Sequence, residues 1–256
     1  MHQLSLTAIP NIPLIKPGDD LGEIIVTAMR KAHLALSDGD ILVIAQKIVS
    51  KAEGRLRHLS QVQPSPQARR IARLTQKDPR LVQIILDDSN EVLRTRPGLL
   101  VVEQRLGFVC ANAGMDRSNV AQDDPADEQV ALLPLDPDAS ARAIRQRIAR
   151  LTGRTVAAII NDSHGRAFRM GITGVAIGVA GLDPLSDRRG QEDLFGYVLQ
   201  YTVVALADEV AAAASILMGQ AHEGQPVILV QGMTYDLVED ASAKALIRKK
   251  EQDLFR

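Results

Sequence analysis

Thr155-Val156-Ala157-Ala158-Ile159-Ile160-Asn161-Asp162-Ser163-His164-Gly165-Arg166 is the stretch on which the reading of this chain turns. Thr155 to Ile160 is a short apolar run that reads as a buried strand, and it stops abruptly at Asp162. A carboxylate and a hydroxyl at the end of a buried strand stand where α/β-type proteins place chemistry. Behind them, Gly171, Gly174, Gly178 and Gly181 are too dense for a stable helix, since each costs about 1 kcal/mol against Ala there. Such density implies a backbone that must approach something closely, and we expect a binding site here.

Outward from this stretch, strand and helix signals follow one another. Leu4 to Ile9 reads as a first strand, ended by the Pro-rich loop Pro10 to Gly18. Asp19 or Asp20 caps a helix whose apolar positions Leu21, Ile24, Ile25, Ala28 and Ala32 recur at helical spacing. Ile41 to Ala45, after the turn Ser37-Asp38-Gly39-Asp40, is a second buried strand. A helical region spans Ser65 to Asp88 with a break at Asp78-Pro79. Val92 to Thr95, Leu99 to Glu103 and Phe108 to Ala111 read as strands, the first two joined by the turn Arg96-Pro97-Gly98. Gln122 to Gln129 reads as an exposed acidic loop, and an amphipathic helix from Ala139 to Leu151 ends at Gly153. A strand at Val198 to Leu206, an Ala-rich helix to Met218, a last strand at Val227 to Val230 and a surface helix within Asp240 to Arg256 complete the chain. Strands both alternate with helices and cluster in a hairpin-rich middle, so the fold class is α+β, a mixed α/β arrangement rather than a purely parallel one.

At 256 residues and 46% hydrophobic content, the chain can form one large domain or two modest ones. Aromatic content of 3% and the absence of Trp leave the core to Leu, Ile, Val and Ala. A net charge of −1 gives no electrostatic footprint for nucleic acid or anionic membrane, and we expect neither as a partner. The single cysteine, Cys110, excludes an intrachain disulfide framework and a multi-cysteine metal site, and in the apolar run Gly107 to Ala111 it reads as a buried, inert thiol. The N-terminus does not match a signal peptide, and the apolar window Tyr201 to Met218 is interrupted by Asp208 and Glu209. A soluble, reduced, cytoplasmic protein is expected.

Two polar clusters offer hard oxygen ligands suited to Mg²⁺ or Mn²⁺: Asn112 to Asn119 around Asp116, and Asn161-Asp162-Ser163. The same aspartates serve equally well as turn formers or helix caps. The five histidines are scattered and form no zinc-spaced pair. Lys47 and Lys51 are four apart, so a helical turn puts both ammonium groups on one face, a pair suited to a phosphate chain or to a solvated face with Glu53 as partner. Neither a Walker A sequence nor a Gly-x-Gly-x-x-Gly fingerprint is present. Arg166 and Arg169 suit a second anionic group, or pairing with Asp183 and Asp187. Met218 to Pro226 is a loop in which Gln220 or Glu223 can face a ligand.

Several segments together resemble one family, the coenzyme F420-0:L-glutamate ligases, or F420 γ-glutamyl ligases. They are Ile9 to Pro13, Lys16 to Leu21, Asp38 to Ile44, Lys47 to Gly54, Ala111 to Asn119, Asp162 to Arg166, Gly174 to Gly181, Asp193 to Gly196, Met218-Gly219 and the terminal Asp253 to Arg256. The likeness is to the short, single-module form. It implies a mixed α/β fold of two interleaved subdomains in one module spanning residues 1–256, and an intertwined homodimer. It further implies GTP-dependent addition of L-glutamate to F420-0, or of a further γ-linked glutamate to F420-1, through an acyl phosphate, with Mg²⁺ or Mn²⁺ and with K⁺ as an optional ion.

By the same resemblance, Asp116, Asp162, Lys47 and Lys51 carry the catalysis. Asp116 and Asp162 hold one metal, with Ser163 and Gln220 at a second. Gln46, Lys47, Lys51 and Asn119 contact GTP, along with Asn11, Ile12, Pro13 and Leu14 and the loop Met218, Gly219, Gln220, Ala221, His222, Glu223, Gly224 and Gln225. Ala167, Phe168 and Ile172 depart from residues frequent in the family, and Gln220 offers a neutral oxygen where an acid would bind metal more strongly. The competing readings are a ligase of the same fold for another carboxylate or amino acid, and a GTP- and metal-binding regulatory protein without turnover.

Overall fold

A short strand, β1 (Ser5–Ala8), opens the chain, and Asp20 then starts α1 (Leu21–Lys31) by accepting the Glu23 backbone N–H at 3.0 Å. These positions come from a computed structural model that describes residues 3–122, 124 and 127–254. Asp123, Pro125 and Ala126 of the expected acidic loop, and Phe255-Arg256 of the tail, lie outside the described residues. β2 (Ile41–Ala45) runs directly into α2 (Gln46–Ala52), and β3 (Leu56–His58) follows. Pro66 and Pro79 each begin a helix, α3 (Pro66–Thr75) and α4 (Pro79–Asp87), behind the caps Ser65 and Asp78, so the break expected at Asp78-Pro79 is present. β4 (Ser89–Arg96), β5 (Leu99–Gln104) and β6 (Val109–Ala111) form an antiparallel sheet, and β7 (Gln129–Ala131) pairs with β3. α5 (Pro137–Thr152) leads into a long hairpin of β8 (Ala157–Arg166) and β9 (Arg169–Ala180). β10 (Ser186–Asp187), β11 (Val203–Val204), α6 (Leu206–Met218) and β12 (Val227–Gln231) follow.

The main sheet sets β1, β12, β2, β8 and β9 side by side, with β2 and β8 parallel and the other neighbours antiparallel. Both faces are covered, which is why β2 reads as a continuous apolar run rather than an alternating one. Leu42 and Ile44 join a cluster with Ile25 and Met29 of α1 and Ile144 and Ile148 of α5. Ile41 and Val43, on the other face, join Val210, Ala211 and Ala214 of α6. A separate cluster joins α3, α4 and the hairpin sheet through Ile71, Val82, Ile85, Leu100 and Val102. The α+β class follows directly.

Four expectations need correction. The strand expected to stop at Asp162 runs on to Arg166, with Asp162 paired to Val175 of β9. The glycine-dense segment is itself strand β9, and Gly174 and Gly178 admit neighbouring helices. A Cβ at Gly174 would stand 2.2 Å from Ser215 Oγ and 2.5 Å from the Ala211 carbonyl oxygen of α6, and one at Gly178 would stand 2.4 Å from the Pro137 carbonyl of α5. The strand expected over Val198 to Leu206 reduces to Val203–Val204, because Leu206 already belongs to α6. The tail is not an α-helix; it makes two short 3₁₀ turns, Ala243–Leu246 and Lys250–Gln252.

Candidate active site

Parallel pairing brings the end of β2 beside the middle of β8. The pairing of β2 with β8 ends at Ala45 and Asn161, so Gln46, where the chain turns into α2, stands beside Asp162, where β8 runs on paired with β9. The pairing of β8 with β9 shifts by one residue between Ile160 and Asn161, the kind of irregularity that re-aims side chains near functional sites. Asp116 arrives from the segment after β6. After β6 the backbone turns through left-handed conformations at Asn112 (φ 51°) and Ala113 (φ 56°), and Asp116 is then held by two backbone bonds of 2.9 Å to Ala131.

Side chains complete the junction. Gln46 Nε2 donates to Asp116 Oδ2 at 2.6 Å, and Ser50 Oγ in turn donates to Gln46 Oε1 at 2.8 Å. Lys47 Nζ lies 3.4 Å from Asp116 Oδ1 and donates to Ser118 Oγ at 3.1 Å. Asp162 Oδ1 accepts the Ser163 backbone N–H, while its Oδ2 lies 2.8 Å from His164 Nε2. Gln220 Nε2 donates to Ser163 Oγ at 3.0 Å, and Asn119 Nδ2 donates to the Ala221 carbonyl at 2.8 Å, so the loop Met218 to Gln225 is tied to both acidic segments.

Burial pushes the Asp116 carboxyl above its ordinary value; the Lys47 charge pulls it down, and the charge of Asp162 pushes it up again. The two carboxylates therefore feel each other in a desolvated place, where a cation is the natural complement. Burial lowers the Lys51 ammonium from its ordinary value, with Lys47 repelling and Asp116 opposing. Lys47 and Lys51 share one face of α2, and this pair stands beside the carboxylates. No group of three or more His, Cys, Asp and Glu side chains gathers among the described residues, so any ion here would rely also on neutral oxygens. The donor set fits a hard divalent cation: the carboxylates of Asp116 and Asp162, with the Ser163 hydroxyl beside them.

The structure thus brings together Asp116, Asp162, Lys47, Lys51, Gln46, Ser163, Gln220 and Asn119. It draws the Met218–Gln225 loop to them. Glu223 curls back onto its own loop, accepting the Ala221 N–H at 2.8 Å. Asn11 and Leu14 are exposed and Ile12 packs against the core; among the described residues no hydrogen bond or ion pair ties Asn11 to Leu14 to the acidic pair. Glu53 does not pair with the lysines, since it accepts from Ser140 Oγ. Arg166 and Arg169 face each other at the exposed end of the β8–β9 hairpin, while Asp187 pairs with Arg189 and Asp183 accepts the Leu185 N–H. His164 is the residue the sequence reading passed over. The period of two in a strand puts it on the same face as Asp162, and that was the available signal.

The fold and this junction define a class, an α+β protein with an acidic pair and paired lysines gathered where the parallel pairing of β2 and β8 ends. A model of the F420-0:gamma-glutamyl ligase family matches residues 10–232, and the chain belongs to that family. It is 48% identical over 255 residues to coenzyme F420:L-glutamate ligase of Methanothermobacter thermautotrophicus, with 99% of each chain covered. It is 44% identical to the protein of the same name from Methanopyrus kandleri, with 100% of each chain covered. The corresponding protein of Archaeoglobus fulgidus is 42% identical over 97% of this chain and 94% of its own length. No helix among the described residues is long and apolar enough to cross a membrane.

Proposed function

We propose that this chain joins L-glutamate to F420-0, and further γ-linked glutamates to the product, at the expense of GTP. The observation that carries the reading is the pairing of two mutually repelling carboxylates with two lysines where β2 ends beside β8. That combination suits a triphosphate and its divalent cation, and the names of the similar proteins supply the two molecules to be joined.

The chemistry follows in two steps. An oxygen of the acceptor carboxylate attacks the γ-phosphorus of GTP, GDP leaves with the bonding electron pair, and an acyl phosphate results. The glutamate amine then attacks the acyl carbon, inorganic phosphate departs, and the nitrogen loses its proton to give the amide. Bound Mg²⁺ or Mn²⁺ supplies charge neutralisation of the phosphate oxygens. Asp116 and Asp162 would hold that ion, with Ser163 and Gln220 beside it. Lys47 and Lys51 bind phosphate oxygens as they gain charge. Gln46 keeps Asp116 oriented, and Asn119 keeps the Met218–Gln225 loop against the site.

Incubation with GTP, Mn²⁺, L-glutamate and F420-0 is the test, with the acceptor followed by mass. Conversion of another carboxylate instead would support the same-fold ligase reading. GTP binding without any acceptor change would support a regulatory protein.

We infer also that the protein acts as a homodimer. Phe168, Met170, Leu194, Phe195 and Tyr201 are each at least 88% exposed and crowd the outer hairpin and the segment after β10, an apolar surface of the kind that marks an interface. Sedimentation should give a dimer that Phe195→Asp with Tyr201→Asp dissociates; a monomeric parent protein would refute this.

A further inference from the structure

Beside Asp162 the molecule opens into a cleft of about 570 Å³, within the range of small-molecule sites. His164 lines it, and the same side chain touches Asp162 at 2.8 Å, so the cleft begins where the acidic pair ends. Lys47, Lys51 and Asp116 are not among its lining residues. Phe108 adds an aromatic wall, its ring centroid 5.0 Å from that of His164 with planes at 46°.

Four aspartates and three cationic side chains line this cleft, and the aspartates are all engaged. Asp138 already accepts the backbone N–H groups of Val179 and Ala243 at 2.8 and 3.0 Å. Asp208 accepts that of Ala176 at 2.8 Å, Asp136 caps α5, and Asp253 is likewise engaged. Lys244 and Arg248, both exposed at the cleft, have no side-chain hydrogen-bond or ion-pair partner among the described residues. An aromatic wall, two uncommitted cations and a junction with the phosphate-handling residues select one kind of ligand.

We propose that this cleft seats the acceptor, an anionic molecule with a planar aromatic ring system. The ring lies against Phe108 and its anionic groups face Lys244 and Arg248. Its carboxylate reaches the Asp162–His164 end, where the activated nucleotide phosphorus must stand. L-glutamate has no ring and fills only a small part of such a volume, so the cleft suits the acceptor rather than the amino acid. This assignment rests on the ligase reading above.

The test compares the parent protein with Lys244→Glu/Arg248→Glu, and with the milder Lys244→Gln and Phe108→Leu, all checked for an unchanged melting profile. F420-0 binding is followed by deazaflavin fluorescence with a GTP analogue and Mn²⁺ present, GTP-analogue binding by calorimetry, and KM for L-glutamate by turnover. The double variant should bind F420-0 at least about tenfold more weakly, as expected for lost charge-assisted bonds, with GTP-analogue affinity and glutamate KM unchanged. Should the double variant not fold, Lys244→Gln and Phe108→Leu must each still weaken F420-0 selectively. Unchanged F420-0 affinity in the folded variants, or a rise confined to glutamate KM, would overturn the cleft assignment alone. A parent protein that binds the GTP analogue but no F420-0 would instead overturn the ligase reading.

Discussion

Ala45 and Asn161 are register partners on the parallel pair β2 and β8, and the candidate site is built on that single pairing. Because the strands run the same way, the residues after this pair stand side by side: Gln46 opens α2, and Asp162 continues β8. Gln46 then reaches across 2.6 Å to Asp116, which arrives from the segment after β6, and so brings the second carboxylate to the strand pairing.

Asp116→Asn and Asp162→Asn should each abolish tight Mn²⁺ binding, seen by electron paramagnetic resonance, and lower turnover at least about a hundredfold. The metal-free protein should not suffer. Burial holds the Asp116 carboxyl above its ordinary 3.8, so ionising it costs the folded state stability. That cost is absent below pH 3.8 and fully present above the folded-state pKa. Metal-free Asp116→Asn should therefore melt at or above the parent at neutral pH. A clear loss of stability would mean that Asp116 is mainly a structural anion.

Lys47→Ala should weaken GTP about tenfold while leaving KM for L-glutamate unchanged. Its Nζ stands against Asp116 and Ser118. Equal weakening of both substrates would speak against a phosphate role.

Gly178→Ala should cost about 1–3 kcal/mol in urea unfolding, as overpacking does, because its Cβ would stand 2.4 Å from the Pro137 carbonyl. Gly165→Ala, in the same hairpin with nothing within 4 Å, serves as a near-neutral control. Equal stabilities would show that α5 yields easily.

Cys110 is buried, and that burial pushes its thiol up from 9.0 to about 12. Folded protein should resist iodoacetamide at pH 8, with labelling appearing only on unfolding. The sign for stability is unfavourable at high pH: as pH rises above 9.0, the unfolded thiol ionises first and the folded state loses ground. Rapid labelling of the native protein would contradict this burial.

The elements carried by local chemistry were readable from sequence. Ser65-Pro66 and Asp78-Pro79 mark two helix starts because cap and proline act within one turn. The continuous apolar runs at Ile41 and Ala157 mark strands covered on both faces. What local pattern could not convey was partnership. The glycines of β9 were read as a ligand's approach because nothing in that segment reveals that α5 and α6 lie on it. The polar residues of the site were recognisable singly, but Asp116 and Asp162 stand 46 positions apart in the chain. Only the fold joins them, with His164 beside Asp162. The tail failed for the opposite reason, since its helical composition is overridden by docking of Ser242 and Ala243 onto Asp138.

The most direct measurement is the mass of F420-0 after incubation with the full chain, GTP, Mn²⁺ and L-glutamate. A gain of one glutamate residue per acceptor, matched by one GDP and one phosphate and lost in Asp162→Asn, is the expected result. An unchanged acceptor, with GTP bound but intact, would contradict the proposed ligase.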